Sequence, residues 1–308
     1  MSKISEDATV PHTIPPSDPV PEWQDAEMQL QFELPGETER GAATGNRKSN
    51  LTRPRVRGDL MEGTADLPKP RGLIEIIDQG ELHADDRKLY LVLLAISWDR
   101  LADPRFPGPF EAPAADIRSA MGQTTQRGNS QLRGSMHRLR HTDVRFPMLV
   151  DGNENEVVCG LLSMQSVPRG RSGLVQWNFE PVLRPHLAEP GKWAWIHLRV
   201  ASRLRSRYAG ILYEMLAGWV NTQKRLWNVP IADLREFLGV EGKFADWGKL
   251  RSQVIEPALA EVNKHAPFTV RYESFRAAGQ KRVERVVFQV TPKDDATLPG
   301  AGAIVRRG

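Results

Sequence analysis

The stretch FADWGKLRSQVIEPALAEVNKH, residues 244–265, decides the fold of this chain. Its apolar side chains recur every three or four positions, which is the spacing of one face of an α-helix; they are Trp247, Leu250, Val254, Ala258 and Val262. Pro257 lies inside this helix, where it removes a backbone N–H and crowds the preceding turn. We therefore predict a long helix that bends near Pro257, with a helix break as the alternative.

The segments around this helix predict a winged-helix unit. Before it come an amphipathic helix over 208–219, an extended link at 227–229, and a short helix over 230–239 that starts with proline and ends with glycine. After it come two strands, 268–275 and 282–290, joined by a turn that contains glycine. Three helices followed by such a hairpin form the winged-helix order.

The first half of the chain repeats this order about 120 residues earlier. Its helical patterns and then its strand-like runs cover 84–101, 113–122, 129–141, 144–150, 156–166 and 174–179. The repeat lies in the order of the elements and not in residue identity. Two such units predict an α+β fold class with tandem winged-helix domains.

The predicted domains are a disordered acidic arm over 1–70, a winged-helix domain over 71–195, a second one over 196–292, and a flexible tail over 293–308. The arm contains nine prolines and no sustained apolar periodicity. Such a segment cannot offset its ordering entropy by burial, which is why we expect it to be disordered.

The net charge of +4 is divided unevenly along the chain. Residues 1–68 have 7 Lys and Arg against 12 Asp and Glu, residues 69–200 have 17 against 15, and residues 201–292 have 15 against 9. A basic body behind an acidic arm suits a polyanionic partner such as DNA. The chain has neither the apolar run of about 20 residues that a membrane span needs nor an apolar leader, so we expect a cytoplasmic protein.

In a winged-helix unit the third helix enters the major groove of duplex DNA and the hairpin lies against the phosphates. In the second unit the predicted DNA contacts lie on the third helix, at the hairpin tip and before the first helix: Lys249, Arg251, Ser252, Gln253, Arg276, Gln280, Lys281, Arg282, Arg203, Arg205 and Arg207. Lys249 and Gln253 are one turn apart and could read guanine and adenine edges. The alternative is an ordinary solvated helix face.

The corresponding residues of the first unit lie on its third helix and on the flexible basic turn between the last two strand-like runs. They are Arg127, Asn129, Gln131, Arg133 and Arg138 on the helix, and Arg169 and Arg171 on the turn. Between residues 114 and 149 there are six Arg against two Asp. We therefore expect this helix to face DNA as well.

The sequence gives little support to an enzyme. Gly239–Lys243 is too short for a phosphate-binding loop, and His137 and His141, four apart on a helix, lack a third metal ligand at a plausible spacing. The one cysteine, Cys159, is expected to be a buried small side chain rather than a reactive thiol. We predict a protein that is not an enzyme and that holds neither a metal nor another cofactor.

The stretch from residue 205 to residue 290 resembles the iteron-binding Rep proteins, the Rep_3-type plasmid replication initiators. The matching strings are RYA at 207–209, LYEML at 212–216, IADLREFLG at 231–239, LR at 250–251, VIEPALAEVN at 254–263, VRYE at 270–273 and GQK at 279–281. The first half resembles the family only in the order of its elements. The long acidic arm, and Trp247 where a smaller aromatic is usual, depart from some members.

The resemblance implies a protein that binds directly repeated sites, the iterons, in the double-stranded DNA of a plasmid origin. It implies opening of an adjacent AT-rich region with the host initiator and recruitment of the replicative helicase. It also implies a monomer–homodimer equilibrium in which dimers, formed mainly through the first domain, often repress the initiator's own promoter. At matching positions it suggests Lys249, Arg251 and Ser252 as base or phosphate contacts.

Two other functions remain open at the level of the sequence. One is a winged-helix transcriptional regulator without a role in replication, which should bind an inverted repeat as a dimer. The other is a winged-helix module that binds protein, which should bind DNA weakly and without dependence on salt. An initiator should instead bind direct repeats as a monomer.

Overall fold

The computed structural model describes residues 54–70, 73–74, 76–78, 81–103, 105–123, 128–150, 153–184, 187, 193–277, 279 and 282–293, with the backbone alone at 147–150 and 154. All of them belong to one compact unit. The predicted arm up to residue 53 and the tail from residue 294 lie outside the described residues.

Within the residues that the structure describes, the first module contains three α-helices, a 3-10 helix at Pro181–Leu183 and two hairpins. Its elements are β1 (Asp66–Pro70), α1 (Ala84–Leu101), β2 (Phe110–Pro113), α2 (Ala114–Ala120), α3 (Ser130–His141), β3 (Val144–Val150), β4 (Asn153–Cys159), β5 (Leu162–Ser166), β6 (Leu174–Phe179) and β7 (Trp193–His197). Strands β2, β6 and β5 form one antiparallel sheet, and β3 pairs with β4 as a separate hairpin.

The second module repeats the first without the extra hairpin. After a short helix α4 (Leu198–Arg203) come α5 (Arg207–Ala217), β8 (Leu226–Pro230), α6 (Ile231–Phe237), α7 (Trp247–Leu250), α8 (Glu256–His265), β9 (Phe268–Arg276) and β10 (Val283–Pro292). Its sheet has the order β8-β10-β9, in which the first strand pairs with the last, as in β2-β6-β5. The shared topology supports the predicted tandem winged helices.

The run predicted as one strand over 156–166 is divided between β4 and β5 at Gly160. A Cβ atom at Gly160 would lie 2.3 Å from the carbonyl oxygen of Arg140, and the next residue, Leu161, donates its N–H to the Leu139 carbonyl at 2.9 Å. The chain therefore passes against the end of α3, and only glycine fits at that point.

Pro257 does not break the long helix. Between α7 and α8 the backbone forms a π-helical turn, Arg251–Ile255, and the Glu256 N–H donates to the Arg251 carbonyl. Pro257 follows in the first turn of α8, where its missing N–H costs least. A π-helical turn is the local adjustment that keeps the helix continuous through the proline.

The arm was predicted to extend to residue 70, and this boundary is wrong for its last residues. Strand β1 pairs with β7 along its whole length, with Pro68 opposite Trp195, and Leu67 is fully buried. The indole Nε1 of Trp98 also donates to the Pro54 carbonyl at 2.6 Å. Within the described residues this sheet has two strands, and the further bridge on β1 pairs Asp66 with Arg57. Prolines are tolerated at Pro68 and Pro70 because they lie on an edge strand.

Two ion pairs, one of them buried, join the two modules. Lys69 Nζ on β1 lies 2.5 Å from Glu214 Oε2 on α5, and both side chains are 4% exposed. Arg145 on β3 lies 3.8 Å from Glu236 on α6. Strand β7 pairs with β1 across the predicted domain boundary at 195, so the first module extends beyond that residue.

Candidate nucleic-acid interface

The start of the long helix in the second module presents a polar, exposed face. The carboxylate of Asp246 accepts the backbone N–H of Lys249 at 3.1 Å and so caps the helix. Lys249, Arg251, Ser252 and Gln253 are exposed, while Leu250, Val254 and Ile255 on the other side are buried. The four predicted contact residues of this helix therefore lie together in solvent at its N-terminal half.

Arg251 is paired with an acid on its own helix. Its Nε lies 3.5 Å from Glu256 Oε1, both side chains being about half exposed, and the Tyr272 hydroxyl donates to the same oxygen at 3.0 Å. Burial, and then the neighbouring Glu256, raise the pKa of Tyr272 to about 12, so its phenol keeps the proton that it donates. An exposed ion pair contributes about 0.2–1 kcal/mol, so a phosphate can compete with Glu256 for Arg251.

The tip of the second hairpin carries two of the predicted cations, on the strand ends next to the turn. Arg276 and Arg282 are exposed at the facing ends of β9 and β10. The guanidinium of Arg235 on α6 donates to the carbonyls of Lys243 at 3.0 Å and Ala245 at 3.2 Å. Burial, and then the charge of Arg282, lower the pKa of Arg235. Helix α6 also contacts β10, so α6 has the second hairpin and the loop before α7 as its neighbours.

Sequence reasoning missed two cations of this group, Arg235 and Lys243. Lys243 is exposed in the loop before α7. In the sequence this loop was considered only as a phosphate-binding loop, for which it is too short. Arg235 is in the short second helix, and its two carbonyl partners are in that same loop. The signal available was the cluster of basic residues that flank the turn 239–246.

Two predicted cations before α5 lie apart from this surface. Arg203 and Arg205 are exposed, but Glu261 accepts the N–H groups of Arg205 at 3.0 Å and Ser206 at 3.1 Å. Glu261 is twelve residues after Lys249, so this end of the helix lies about 18 Å along its axis from Lys249. The structure does not bring Arg203 and Arg205 together with Lys249.

Arg207 was predicted to contact DNA, but its side chain is turned inward. Its Nη2 donates to the Leu238 carbonyl at 2.6 Å and lies 4.0 Å from a carboxylate oxygen of buried Asp78. Burial lowers the pKa of Arg207, and the nearby Asp78 acts in the opposite direction. Arg207 therefore ties α5 to α6 and to the first module.

Two predicted contacts of the first module are also turned inward. Arg138 donates from Nε and Nη2 to the two carboxylate oxygens of Asp86 at 2.7 and 2.8 Å, and Asp86 is fully buried at the start of α1. Asn129 is 2% exposed, and its amide bonds to the turn between β5 and β6. Asn129 is therefore engaged within the protein, and Arg138 is paired with Asp86 although its side chain stays 36% exposed.

The other predicted residues of the first module remain at its surface. Gln131 and Arg133 are exposed on α3, and Arg169 and Arg171 are exposed on the turn 167–173. Arg133 Nη2 donates to the Pro168 carbonyl of that turn at 3.2 Å, so helix and turn are in contact. Three further predicted residues lie outside the described part of the chain: Arg127, Gln280 and Lys281.

The two histidines considered as metal ligands, His137 and His141, stack with ring centroids 4.1 Å apart on the exposed face of α3. Within the ranges that the structure describes, no group of three or more His, Cys, Asp or Glu side chains is arranged to hold a metal ion. Over the same residues, no helix combines the length and apolar character that crossing a membrane requires.

Two family models match the chain and together cover both modules. Residues 71–217 match the model described as Initiator Replication protein, WH1, and residues 230–290 match the one described as Initiator Rep protein, WH2. The chain belongs to the initiator Rep protein family. The resemblance noted from the residues of the second half is thus confirmed, and it now covers the first half of this Rep protein as well.

The fold of this Rep protein is also that of a solved initiator. A crystal structure of Pi initiator protein in complex with iteron DNA aligns with a TM-score of 0.58 at 17% identity, covering 76% of this chain and 99% of that chain. No curated protein matches the chain.

The WH1 match ends at residue 217, which is the last residue of α5. The order of the predicted elements assigned this helix to the second unit. In the structure α5 packs against both modules. The Tyr213 hydroxyl accepts the His197 N–H of the first module at 2.9 Å. The Tyr213 ring stacks on Phe268 of the second module, with ring centroids 6.0 Å apart.

Proposed function

We propose that this Rep protein binds directly repeated sites in the double-stranded DNA of a plasmid origin and starts replication there. The observation that carries the proposal is the exposed start of the long helix, with Lys249, Ser252 and Gln253 in solvent. This helix packs on the second wing through Trp247 and Tyr272, whose ring centroids are 6.4 Å apart. A helix of this kind can enter the major groove, and a wing can contact the adjacent phosphates. The solved initiator of the same fold is in complex with iteron DNA.

The roles of the residues follow from their positions. Lys249 and Gln253, one turn apart, would read base edges, and Arg251 would exchange Glu256 for a phosphate. Arg276 and Arg282 would contact the backbone, which supplies affinity and register but no sequence choice. In the first module Gln131, Arg133, Arg169 and Arg171 would contact a neighbouring segment of the same duplex.

We also propose the later steps. Binding to several adjacent repeats would bend the DNA, and the deformation would open an AT-rich region together with the host initiator. The replicative helicase would then be recruited to the opened strand. Monomers would carry out these steps in the cytoplasm, whereas homodimers formed through the first domain would repress the initiator's own promoter. The energy would come from binding DNA and not from a chemical reaction on this chain.

A footprint tests this function against its two alternatives. Full-length protein is incubated with DNA from both sides of its own gene, and hydroxyl-radical cleavage maps the protected bases. We expect protected direct repeats about 20 base pairs apart, two turns of the duplex, with one protomer on each. One inverted repeat bound by a dimer would instead indicate a transcriptional regulator. Weak binding that is independent of salt would indicate a module that binds protein.

A replication assay tests the same proposal in cells. A plasmid without its own origin receives the footprinted fragment, and the gene is supplied from a second plasmid. We expect replication only when the gene is present, and a lower copy number when it encodes Lys249→Ala. Replication of the fragment without the gene would contradict the proposal.

A further inference from the structure

Asn129 occupies the N-cap position of α3 without capping that helix. Asparagine is among the preferred residues at an N-cap because its side-chain oxygen accepts a free N–H of the first turn. Here its side chain makes no such bond to α3. The Asn129 side chain is 2% exposed, so its amide needs hydrogen-bond partners other than the first turn of α3.

The amide of Asn129 reaches the turn between β5 and β6. Its Nδ2 donates to the Gly170 carbonyl at 2.7 Å and, more weakly, to the Pro168 carbonyl at 3.4 Å. These residues are about 40 positions away in the sequence, and they bracket Arg169. The backbone on both sides of this exposed arginine is thus fixed from the start of α3.

Arg118 completes the connection from the opposite side. It lies on α2, is 7% exposed, and donates to the Asn129 oxygen. Among the residues that the structure describes, no carboxylate forms an ion pair with Arg118. Arg118 therefore holds the oxygen of the same amide whose nitrogen bonds to the turn.

We propose that Asn129 is a positioning residue that holds the turn 167–173 against the start of α3, so that Arg169 and Arg171 contact phosphates of the DNA that α3 faces. Arg118 orients the Asn129 amide by donating to its oxygen. Because the turn is already held in one conformation, it loses little further conformational entropy when it contacts phosphate. This inference rests on the proposed function, since it concerns how the first module contributes to DNA binding.

Asn129→Ser tests the connection with little change to the helix. Serine is also a preferred N-cap residue, but its side chain is too short to reach the turn. We expect the loss of two phosphate contacts, so the slope of log K against log salt should become about 1.8 less steep, and affinity at 0.15 M salt should fall roughly 30-fold. Base preference should be unchanged. The probe is a duplex that the full-length protein selects from randomised DNA.

A double-mutant cycle separates positioning from a general loss of structure. The exposed pair Arg169→Ala and Arg171→Ala should reproduce the same change in slope, and adding Asn129→Ser to that pair should cause no further loss. The matched control is Asn155→Ser, whose amide in the wild type donates to the Asn153 carbonyl at 3.2 Å within the β3–β4 hairpin. It should leave the slope unchanged.

The outcomes distinguish this inference from the proposed function. A folded Asn129→Ser protein with the wild-type slope, or losses that add independently in the combined variant, would overturn the positioning role. Should Asn129→Ser lower stability too far to be measured, an unchanged slope in the arginine pair alone would overturn it. Failure of the wild type to select any duplex would refute the proposed function itself.

Discussion

Replacing Lys249 by alanine should weaken binding to the preferred DNA site and relax the choice of base at one position. The side chain is exposed at the capped start of the long helix, where it can reach the edge of a guanine. A good contact to a base edge provides about 1–3 kcal/mol of discrimination, which corresponds to roughly 5- to 160-fold in affinity. Stability should change by no more than about 0.5 kcal/mol, as for other surface positions.

The same helix offers a matched control at its other end. Lys264 is also exposed, and it lies fifteen residues after Lys249, about 22 Å along the axis. Lys264→Ala removes the same charge, so any loss due to charge alone appears in both variants. We expect it to change affinity by less than about threefold.

Fluorescence anisotropy with the selected duplex, and with duplexes that carry each single-base change, measures both effects. For Lys249→Ala we expect one position of the site to lose its preference while the others keep theirs. Equal losses in the two lysine variants, or an unchanged base preference in Lys249→Ala, would refute the assignment of the N-terminal half of this helix to the major groove.

Further predictions concern residues whose partners are buried. Arg138→Met should lower the free energy of unfolding in urea by roughly 3 kcal/mol, because it leaves the Asp86 carboxylate buried without its cation, and an altered salt slope of DNA binding with normal stability would contradict this. Asn263→Ala should cost about 2–4 kcal/mol in the same assay, since its amide bonds to both backbone groups of Val270 at 2.7 and 3.1 Å; a loss below about 0.5 kcal/mol would refute this role. Burial raises the pKa of the Cys159 thiol to about 11, so iodoacetamide should react slowly at pH 8 and faster as the pH approaches 11. Reaction at pH 8 as fast as in the urea-unfolded chain would show that the thiol is not perturbed.

The helices and the second hairpin could be predicted because each is specified by its own residues. The spacing of Trp247, Leu250 and Val254 is sufficient to show which face of the long helix is buried, and the exposed face of Lys249 and Gln253 follows from it. The alternation of Phe268 and Val270 in β9 likewise orients that strand. These features depend on neighbours within about seven residues.

The inward-facing arginines could not be predicted, because their partners lie far along the chain. Arg138 bonds to a carboxylate 52 residues away, and Arg207 bonds to a carbonyl 31 residues away. A basic residue on a helix has the same local pattern whether it faces phosphate or a buried acid. Only the fold shows that Asp86 is buried beneath α3.

Several residues in the sequence strings that resemble the Rep family hold the fold together. Glu261 accepts the N–H groups before α5, Pro257 follows the π-helical turn, and Asn263 holds the start of β9. These residues fix the position of the long helix. The residues proposed to read DNA, Lys249 and Gln253, lie outside or between the strings.

The salt dependence of equilibrium binding to the selected duplex tests the central claim most directly. If basic helices and wings of both modules lie on the phosphates, six to ten contacts should give a slope of log K against log salt of about −5 to −9. A slope near zero, with affinity unaffected by salt between 50 and 200 mM, would contradict the account.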